Sequence, residues 1–460
     1  MNPSKQSTAG KPLCLTVDSE ARLDGATETQ KAIIRQKLTI INPKYQAAKR
    51  YSRWIGKKLK PKLFFFRDAG KGLVFPRGFV NQAVQLCQQV TGFKPSIVDH
   101  RRRLAEIDIQ FNGTLRPYQQ QAVDAVLKHS FGVLEAGTGS GKTVMALKII
   151  AERKQPTLII VHNKELLYQW QERIEQFLDI QAGQAGDSKY DIQPITVAIV
   201  NTARKNLETL PAQFGQIIVD ECHRVPASLF TDVVSSFDSY FMLGLSATAF
   251  RREDGMTQLI YTYMGDRLHA VDPKVLADSG AVVRPDFLQE QTEFTYGFRG
   301  DYAKLIKALA ANDKRNSQIA NDVARIIKAG HEGTVLIVSD RVAHCEVLQH
   351  KLEMQDIESV LLTGRVPTEE RSRIVEEVQE GTVHVLISTL QLIGEGFDCP
   401  GLTTLVLSTP IKFEGRLLQV AGRIMRPSDN KKARIIDYVD VNIPVLRRSA
   451  AARRQVFDRW

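Results

Sequence analysis

The sequence predicts an α/β protein with two doubly wound parallel-sheet domains in tandem, preceded by a small basic α+β domain. Three observations carry that prediction. From Leu115 onward, short β-rich apolar runs alternate with longer helical patterns, the order expected of parallel strands covered by helices on both faces. A glycine-rich loop interrupts that alternation between a strand and a helix. Positive charge is gathered in the first quarter of the chain and absent, on balance, from the rest.

The strands of the first domain are expected at Gly132 to Leu134, Thr157 to Val161, Ile195 to Val200, Ile217 to Val219 and Phe241 to Leu245. Each is an apolar run of the buried type, closed by polar or glycine-rich residues. A second set follows at Val335 to Val338, Ser359 to Leu362, Val383 to Ile387, Thr404 to Leu407 and Arg434 to Ile436. Periodicity is weak between Tyr261 and Arg284, and Arg284-Pro285 suits an entry into the second domain. The turn signal Phe111-Asn112-Gly113-Thr114 separates the N-terminal region from the first α/β domain. The expected division is 1–112, 113–270 and 271–445, with a basic tail at 446–460 that reads either as a terminal helix or as a frayed end.

A chain of 460 residues has room for roughly three domains at about 150 residues each. Its 43% hydrophobic and 25% charged residues are those of a globular protein, which argues against extensive disorder. No apolar run approaches the ~20 residues that cross a bilayer, and the first twenty residues lack the apolar core of a secretory signal. A cytoplasmic protein with no membrane partner is expected. Cys14, Cys87, Cys222, Cys345 and Cys399 lie far apart, so reduced thiols are expected, and neither a disulfide framework nor a structural zinc.

Net charge is +11, but residues 1–110 hold 21 Lys and Arg against 8 Asp and Glu, leaving 41 against 43 in the remainder. Between Lys44 and Arg77 eleven bases accompany one acid, Asp68, interleaved with Tyr45, Tyr51, Trp54, Phe64, Phe65, Phe66 and Phe75. Cations displace counterions from a phosphate backbone and aromatic faces stack on unpaired bases, so Lys57, Lys58 and Lys60 are candidate nucleic-acid contacts. The alternative is a solvated basic face over a small core that uses the aromatics.

The loop Ala136-Gly137-Thr138-Gly139-Ser140-Gly141-Lys142-Thr143 follows a strand and opens a helix. Its glycines let backbone N–H groups curl around phosphate, Lys142 can reach the β and γ oxygens, and Thr143 offers a hydroxyl to Mg²⁺. Ala136 replaces the usual first glycine and is still small enough for the turn. Seventy-odd residues later, Ile217-Ile218-Val219 delivers Asp220 and Glu221 at a strand end. Asp220 is the candidate Mg²⁺ ligand, directly or through water, and Glu221 the group that orients or deprotonates an attacking water.

Ala136 to Thr143, Asp220-Glu221-Cys222-His223, Ser246-Ala247-Thr248 and Gln419-Val420-Ala421-Gly422-Arg423-Ile424-Met425-Arg426 together resemble motifs I, II, III and VI of superfamily 2 helicases and translocases. Leu115-Arg116-Pro117-Tyr118-Gln119 is similar to the adenine-reading Q motif, and Gly394-Glu395-Gly396-Phe397-Asp398 to motif V. Arg252-Glu253-Asp254 is similar to an element of the xeroderma pigmentosum group B type helicases and their phage branch-migration relatives. DEAD-box RNA helicases differ, ending motif II in Ala-Asp and opening motif VI with His-Arg.

The resemblance spans roughly 115–440 and implies RecA-like domains and ATP with Mg²⁺ as cofactors. It implies that Arg116 and Gln119, with Gly396 and Asp398, belong to the nucleotide site. It also implies an arginine finger at Arg426, a second phosphate contact at Arg423 and a water-positioning Gln419. A finger contributes ~10³ to 10⁵ in rate, and here it would act only on domain closure. Nucleic-acid contacts are implied at His162, Asn163 and Lys164, at Thr202, and at Ser339, Thr363, Gly364 and Thr389, short polar groups that grip phosphates without reading bases. The expected function is an ATP-dependent DNA helicase or translocase, a monomeric motor that tracks one strand and remodels forked or branched DNA. The alternatives are a translocase subunit that does not unwind, an RNA helicase, or a scaffold that retains a nucleotide pocket.

Overall fold

The computed structural model describes residues 12–50, 54, 56, 59–225, 228–247, 256–394, 399, 401–428 and 431–459. The chain forms two compact units, Met1–Ala136 with Lys142–Ala270, and Gly137–Gly141 with Val271–Trp460.

The N-terminal region contributes β1 (Cys14–Val17), β2 (Glu20–Asp24), β3 (Thr39–Ile41), β4 (Lys62–Phe64), β5 (Arg67–Ala69), β6 (Gly72–Pro76) and β7 (Ser96–Asp99). Five of them form a mixed sheet in the order β5-β6-β2-β1-β7, and β3 pairs with β4 in a separate ribbon. Leu15 and Val17 of β1 alternate inward with Ala21 and Leu23 of β2. They meet the helix Glu28–Lys37, capped by Thr27, and the helix Val80–Thr91.

This small layer does not stand alone. Its core is continuous with that of the adjoining parallel sheet, through Phe75, Phe79, Phe131, Tyr263 and Met264. Gly78 packs so closely that a Cβ there would meet backbone atoms of Tyr263 and Gly265 at 2.5 and 2.6 Å. Arg77 is buried at the same seam, donating to the Ser239 carbonyl (2.7 Å) and to Met242 Sδ (3.1 Å). Burial, with Arg101 nearby, pulls its pKa down to about 9. Arg77 is one of the eleven bases of the Lys44 to Arg77 stretch, and its role is structural.

The parallel sheet of the first unit comprises β8 (Phe131–Glu135), β9 (Thr157–Val161), β10 (Gly183–Gly186), β11 (Lys189–Asp191), β12 (Ile195–Ile199), β13 (Gln216–Val219), β14 (Phe241–Ser246) and β15 (Arg267–Ala270). Their order is β11-β10-β12-β9-β13-β14-β8-β15, parallel throughout except for β11. The second unit holds β16 (Asp286–Thr292), β17 (Thr334–Ser339), β18 (Val360–Leu362), β19 (Val385–Thr389), β20 (Leu402–Leu407) and β21 (Arg434–Asp440), all parallel in the order β16-β21-β20-β17-β19-β18. Central strands such as Leu158–Val161 and Val335–Val338 are wholly out of water, as apolar runs covered on both faces must be.

Within the two larger sheets, four strands, β10, β11, β15 and β16, lie outside the expected runs. They are edge or near-edge strands that lack an apolar run, as in the Gly183–Gly186 and Asp286–Thr292 segments. The segment 446–460 is largely taken up by the helix Pro444–Phe457, whose Leu446, Ala450 and Arg453 are buried. Arg453 pairs with Asp437 of β21 at 2.9 Å, so this is a packed helix and not a tail. Among the described residues no helix is long and apolar enough to cross a membrane.

Candidate active site

In doubly wound sheets, ligands collect beyond the carboxyl ends of the strands. Strands β8, β13 and β14 end there with Glu135, Val219 and Ser246. The glycine loop leaves β8 through Ala136, a buried residue whose N–H donates to the Ser246 carbonyl at 3.0 Å. Gly139 (φ +82°) and Gly141 (φ +79°) take the left-handed backbone that glycine adopts without strain. The helix Lys142–Arg153 then starts with first-turn N–H groups that have no acceptor within the helix. Lys142 Nζ lies back across the loop, donating to the Ala136 carbonyl at 3.0 Å. Thr143 is the second residue of that helix, and Ser140 is buried.

Asp220 and Glu221 follow β13. Asp220 is nearly buried and both of its oxygens accept, Oδ1 from the Glu221 N–H (2.8 Å) and Oδ2 from the Trp170 indole (2.9 Å). Burial, then the neighbouring Glu221 charge, raises the Asp220 carboxyl above the usual carboxylate range, against the pull of Trp170 and Lys142. Glu221 has left-handed backbone (φ 49°, ψ 49°), a conformation that costs a non-glycine residue about 1–3 kcal/mol and collects at functional sites. Burial alone would raise its carboxyl too. His223, whose Nδ1 lies 3.0 Å from Glu221 Oε2, outweighs that together with Lys142 and His162 and holds Glu221 low. The same His223 nitrogen lies 3.4 Å from Ser246 Oγ, linking the acid pair to the end of β14.

These residues suit a nucleoside triphosphate with a divalent cation. Left-handed glycines and the amides at the helix start make an anion cradle, Lys142 adds a cation, and Thr143 with Asp220 offers the hard oxygen ligands that Mg²⁺ prefers.

Gln119 is buried, and its Oε1 accepts from the Arg116 N–H at 2.9 Å, which fixes the start of the helix Pro117–Leu127. Gly396, Asp398, Thr248 and Arg252 to Asp254 lie outside the described residues, as do Lys57 and Lys58. Gln419 and Arg423 are half-buried on the helix Glu414–Ile424, Arg423 Nε donating to the Ile393 carbonyl at 3.2 Å, and Arg426 follows that helix.

Of the candidate nucleic-acid contacts, Lys60 and Lys164 are exposed. Asn163 caps the helix Lys164–Leu178, its side chain accepting from the Leu166 N–H at 3.0 Å. Thr202 is half-buried in the helix Val200–Lys205, and the preceding Asn201 lines an open groove of about 770 Å³ with Arg204 and Lys205. Gly364 is exposed and Thr389 half-buried.

Ser339 and Thr363 differ from these in being buried. Ser339 is fully buried with Oγ 2.9 Å from His344 Nδ1, and Thr363 is buried with Oγ1 accepting from the Arg365 N–H at 3.4 Å. Both hydroxyls are engaged inside the protein. Sequence reasoning missed Trp170 and gave no role to His223. Trp170 lies fifty residues from Asp220 and looks like a core residue, whereas His223 was legible as the fourth residue of the motif that holds both acids.

Residues 112–251 match the family model described as the res subunit of type III restriction enzymes, and residues 318–428 match the conserved C-terminal domain of helicases. The chain belongs to the superfamily 2 helicases. It is 28% identical over 368 residues to a protein of Sulfurisphaera tokodaii named DNA 3′-5′ translocase XPB2, covering 71% of this chain and 81% of that one. It is 26% identical over 375 residues to the probable helicase D10 of Escherichia phage T5, covering 80% of each. A fragment of a putative HsdR subunit of a type I restriction enzyme from Vibrio vulnificus shares the fold, with a TM-score of 0.59 at 19% identity over 76% of this chain and 68% of the other. Superfamily 2 helicases hydrolyse ATP, typically with Mg²⁺, through paired RecA-like domains.

Proposed function

We propose that the chain is a DNA-dependent ATPase that translocates along one strand and unwinds or remodels forked and branched DNA. What supports this most is the acid pair at the end of β13, in the same sheet as the glycine loop, with Lys142 near enough to influence both carboxyls. The loop amides and Lys142 bind the phosphates, and Arg116 with Gln119, helped by Gly396 and Asp398, holds the base. Thr143 and Asp220 hold Mg²⁺, which when bound neutralises charge on the transferring phosphoryl group. Glu221, kept ionised by His223, orients the attacking water and takes its proton. Gln419, Arg423 and Arg426 belong to the second unit, and their part is to stabilise the same charge when the two units close, which couples hydrolysis to movement.

DNA as the track is supported by the names of the relatives and by the N-terminal region. There Lys44, Lys49, Lys60 and Lys62 are exposed, Trp54 is 90% exposed and Phe64 58%. Phe75 has gone to the core, and Arg22, Arg35 and Arg67 are paired with Asp24, Asp68 and Glu20, so only part of the basic excess is open to phosphate. His162, Lys164, Thr202, Gly364 and Thr389, with Lys57, Lys58 and Lys60, complete the track as backbone-reading contacts.

The test is steady-state ATPase with and without DNA, with RNA as comparison, and strand displacement on forked against blunt duplex. DNA should stimulate hydrolysis strongly, and Glu221→Gln should bind ATP and DNA while losing about 10²- to 10⁴-fold in kcat. Hydrolysis indifferent to DNA, or normal turnover by Glu221→Gln, would overturn the reading.

A further inference from the structure

The helix Lys164–Leu178 buries Leu167, Trp170, Ile174 and Leu178, a stripe at helical spacing that explains three of those residues as packing. Trp170 does something the others cannot. Its ring is 1% exposed, so its N–H, a donor with no acceptor capacity, must find a partner inside the protein. That partner is Asp220 Oδ2 at 2.9 Å, within the range of a charge-assisted hydrogen bond. The other oxygen, Oδ1, is held at 2.8 Å by the N–H of the next residue, Glu221. With one donor on each oxygen, the carboxylate cannot rotate without breaking a bond in a nearly dry site. The donor comes from a different element than the acid it holds, so the packing of the helix sets the angle at which Asp220 is presented.

We propose that Trp170 is a positioning residue for the divalent cation of the nucleotide site, its indole N–H fixing the plane in which Asp220 offers its remaining lone pairs. This rests on the reading above that Asp220 carries the metal. Partners behind a metal ligand set its orientation, and their loss commonly weakens metal binding by about 10- to 100-fold. A tryptophan serving only as core volume would lose packing on substitution and leave metal affinity alone.

The experiment reads metal binding apart from turnover. Trp170→Phe keeps an aromatic ring in the core and removes the N–H. In the ADP complex, Mn²⁺ affinity followed by electron paramagnetic resonance should weaken about tenfold or more, while ADP affinity measured in EDTA stays at the native value. Native Mn²⁺ affinity in Trp170→Phe overturns the assignment. Asp220→Asn separates the two layers of the argument. If it loses Mn²⁺ while Trp170→Phe binds normally, the role of Trp170 alone fails. If it binds Mn²⁺ like the native protein, the reading of Asp220 fails as well.

Should Trp170→Phe not fold, Trp54→Phe combined with Trp460→Phe leaves Trp170 as the one emitter, since the chain has three tryptophans. Adding Mg²⁺ to the ADP complex of that variant should then shift the emission relative to ADP alone. Emission that does not respond to Mg²⁺ overturns the proposal.

Discussion

In the first unit two guanidinium groups, Arg77 and Arg153, sit almost out of water among carbonyls and rings, whereas in the second Arg315 and Arg453 each face a buried aspartate. Arg153 donates to the His129 carbonyl at 2.8 Å and lies 4.4 Å from the centre of the Phe241 ring. Burial lowers it to about 9, as it does Arg77. Arg315 and Asp440 are both fully buried at 2.7 Å, and Asp440 also accepts from Thr292. The first unit thus disperses buried positive charge over neutral dipoles, and the second neutralises it locally. Arg315 also donates to the Ser408 carbonyl at 2.7 Å, but its charge is balanced by Asp440, so losing that carboxylate would strand a buried cation.

The largest effect is expected from Asp440→Asn, which leaves Arg315 charged and unbalanced in the core. A loss of about 3–5 kcal/mol in the denaturant-induced unfolding of the second unit is expected, and a loss under 1 kcal/mol would erase the contrast. Arg77→Met should cost less, about 1–3 kcal/mol, because what it leaves is an unsatisfied Ser239 carbonyl and no stranded charge. Equal losses for Arg77→Met and Asp440→Asn would show that both units handle charge alike.

His344 sharpens the comparison by pH. It is 1% exposed between Ser339 and Asn316, beside Arg315, and burial followed by Arg315 lowers its pKa from 6.5 to about 3. A depressed folded pKa means stability that is full above pH 6.5 and drains as pH falls toward 3, by roughly 1.4 kcal/mol per pH unit. His344→Gln should flatten the acid side of the stability curve by that one-proton slope. Asn163→Ala has the smallest expected effect, about 1 kcal/mol from its lost helix cap. Its DNA affinity at matched stability then tells whether the cap residue also touches the track.

The legible parts of the molecule were the local ones. The phosphate loop declares itself because strand, glycines, lysine and helix are contiguous, and the acid pair because an apolar strand delivers it. Strands β9, β13 and β17 were plain since burial on both faces leaves their central positions apolar, with Thr157, Gln216, Thr334 and Ser339 confined to their ends. Edge strands such as β16 have one wet side, and their polar residues disguise them. The bond from Trp170 to Asp220 could not be read, since it depends on how a helix lies across a sheet. The burial of Ser339 could not be read either, since its type suits a surface contact while its hydroxyl lies against His344.

The seam at Arg77 and Gly78 bears on how mechanical load would travel through the protein. Since the basic region shares one continuous interior with the ATPase sheet, no slack is available between handle and engine. Load applied to the N-terminal layer would reach, through that shared core, the strand that carries the acid pair. By the same token, trimming away residues 1–110 would uncover Phe131 and Met264 rather than liberate an intact motor.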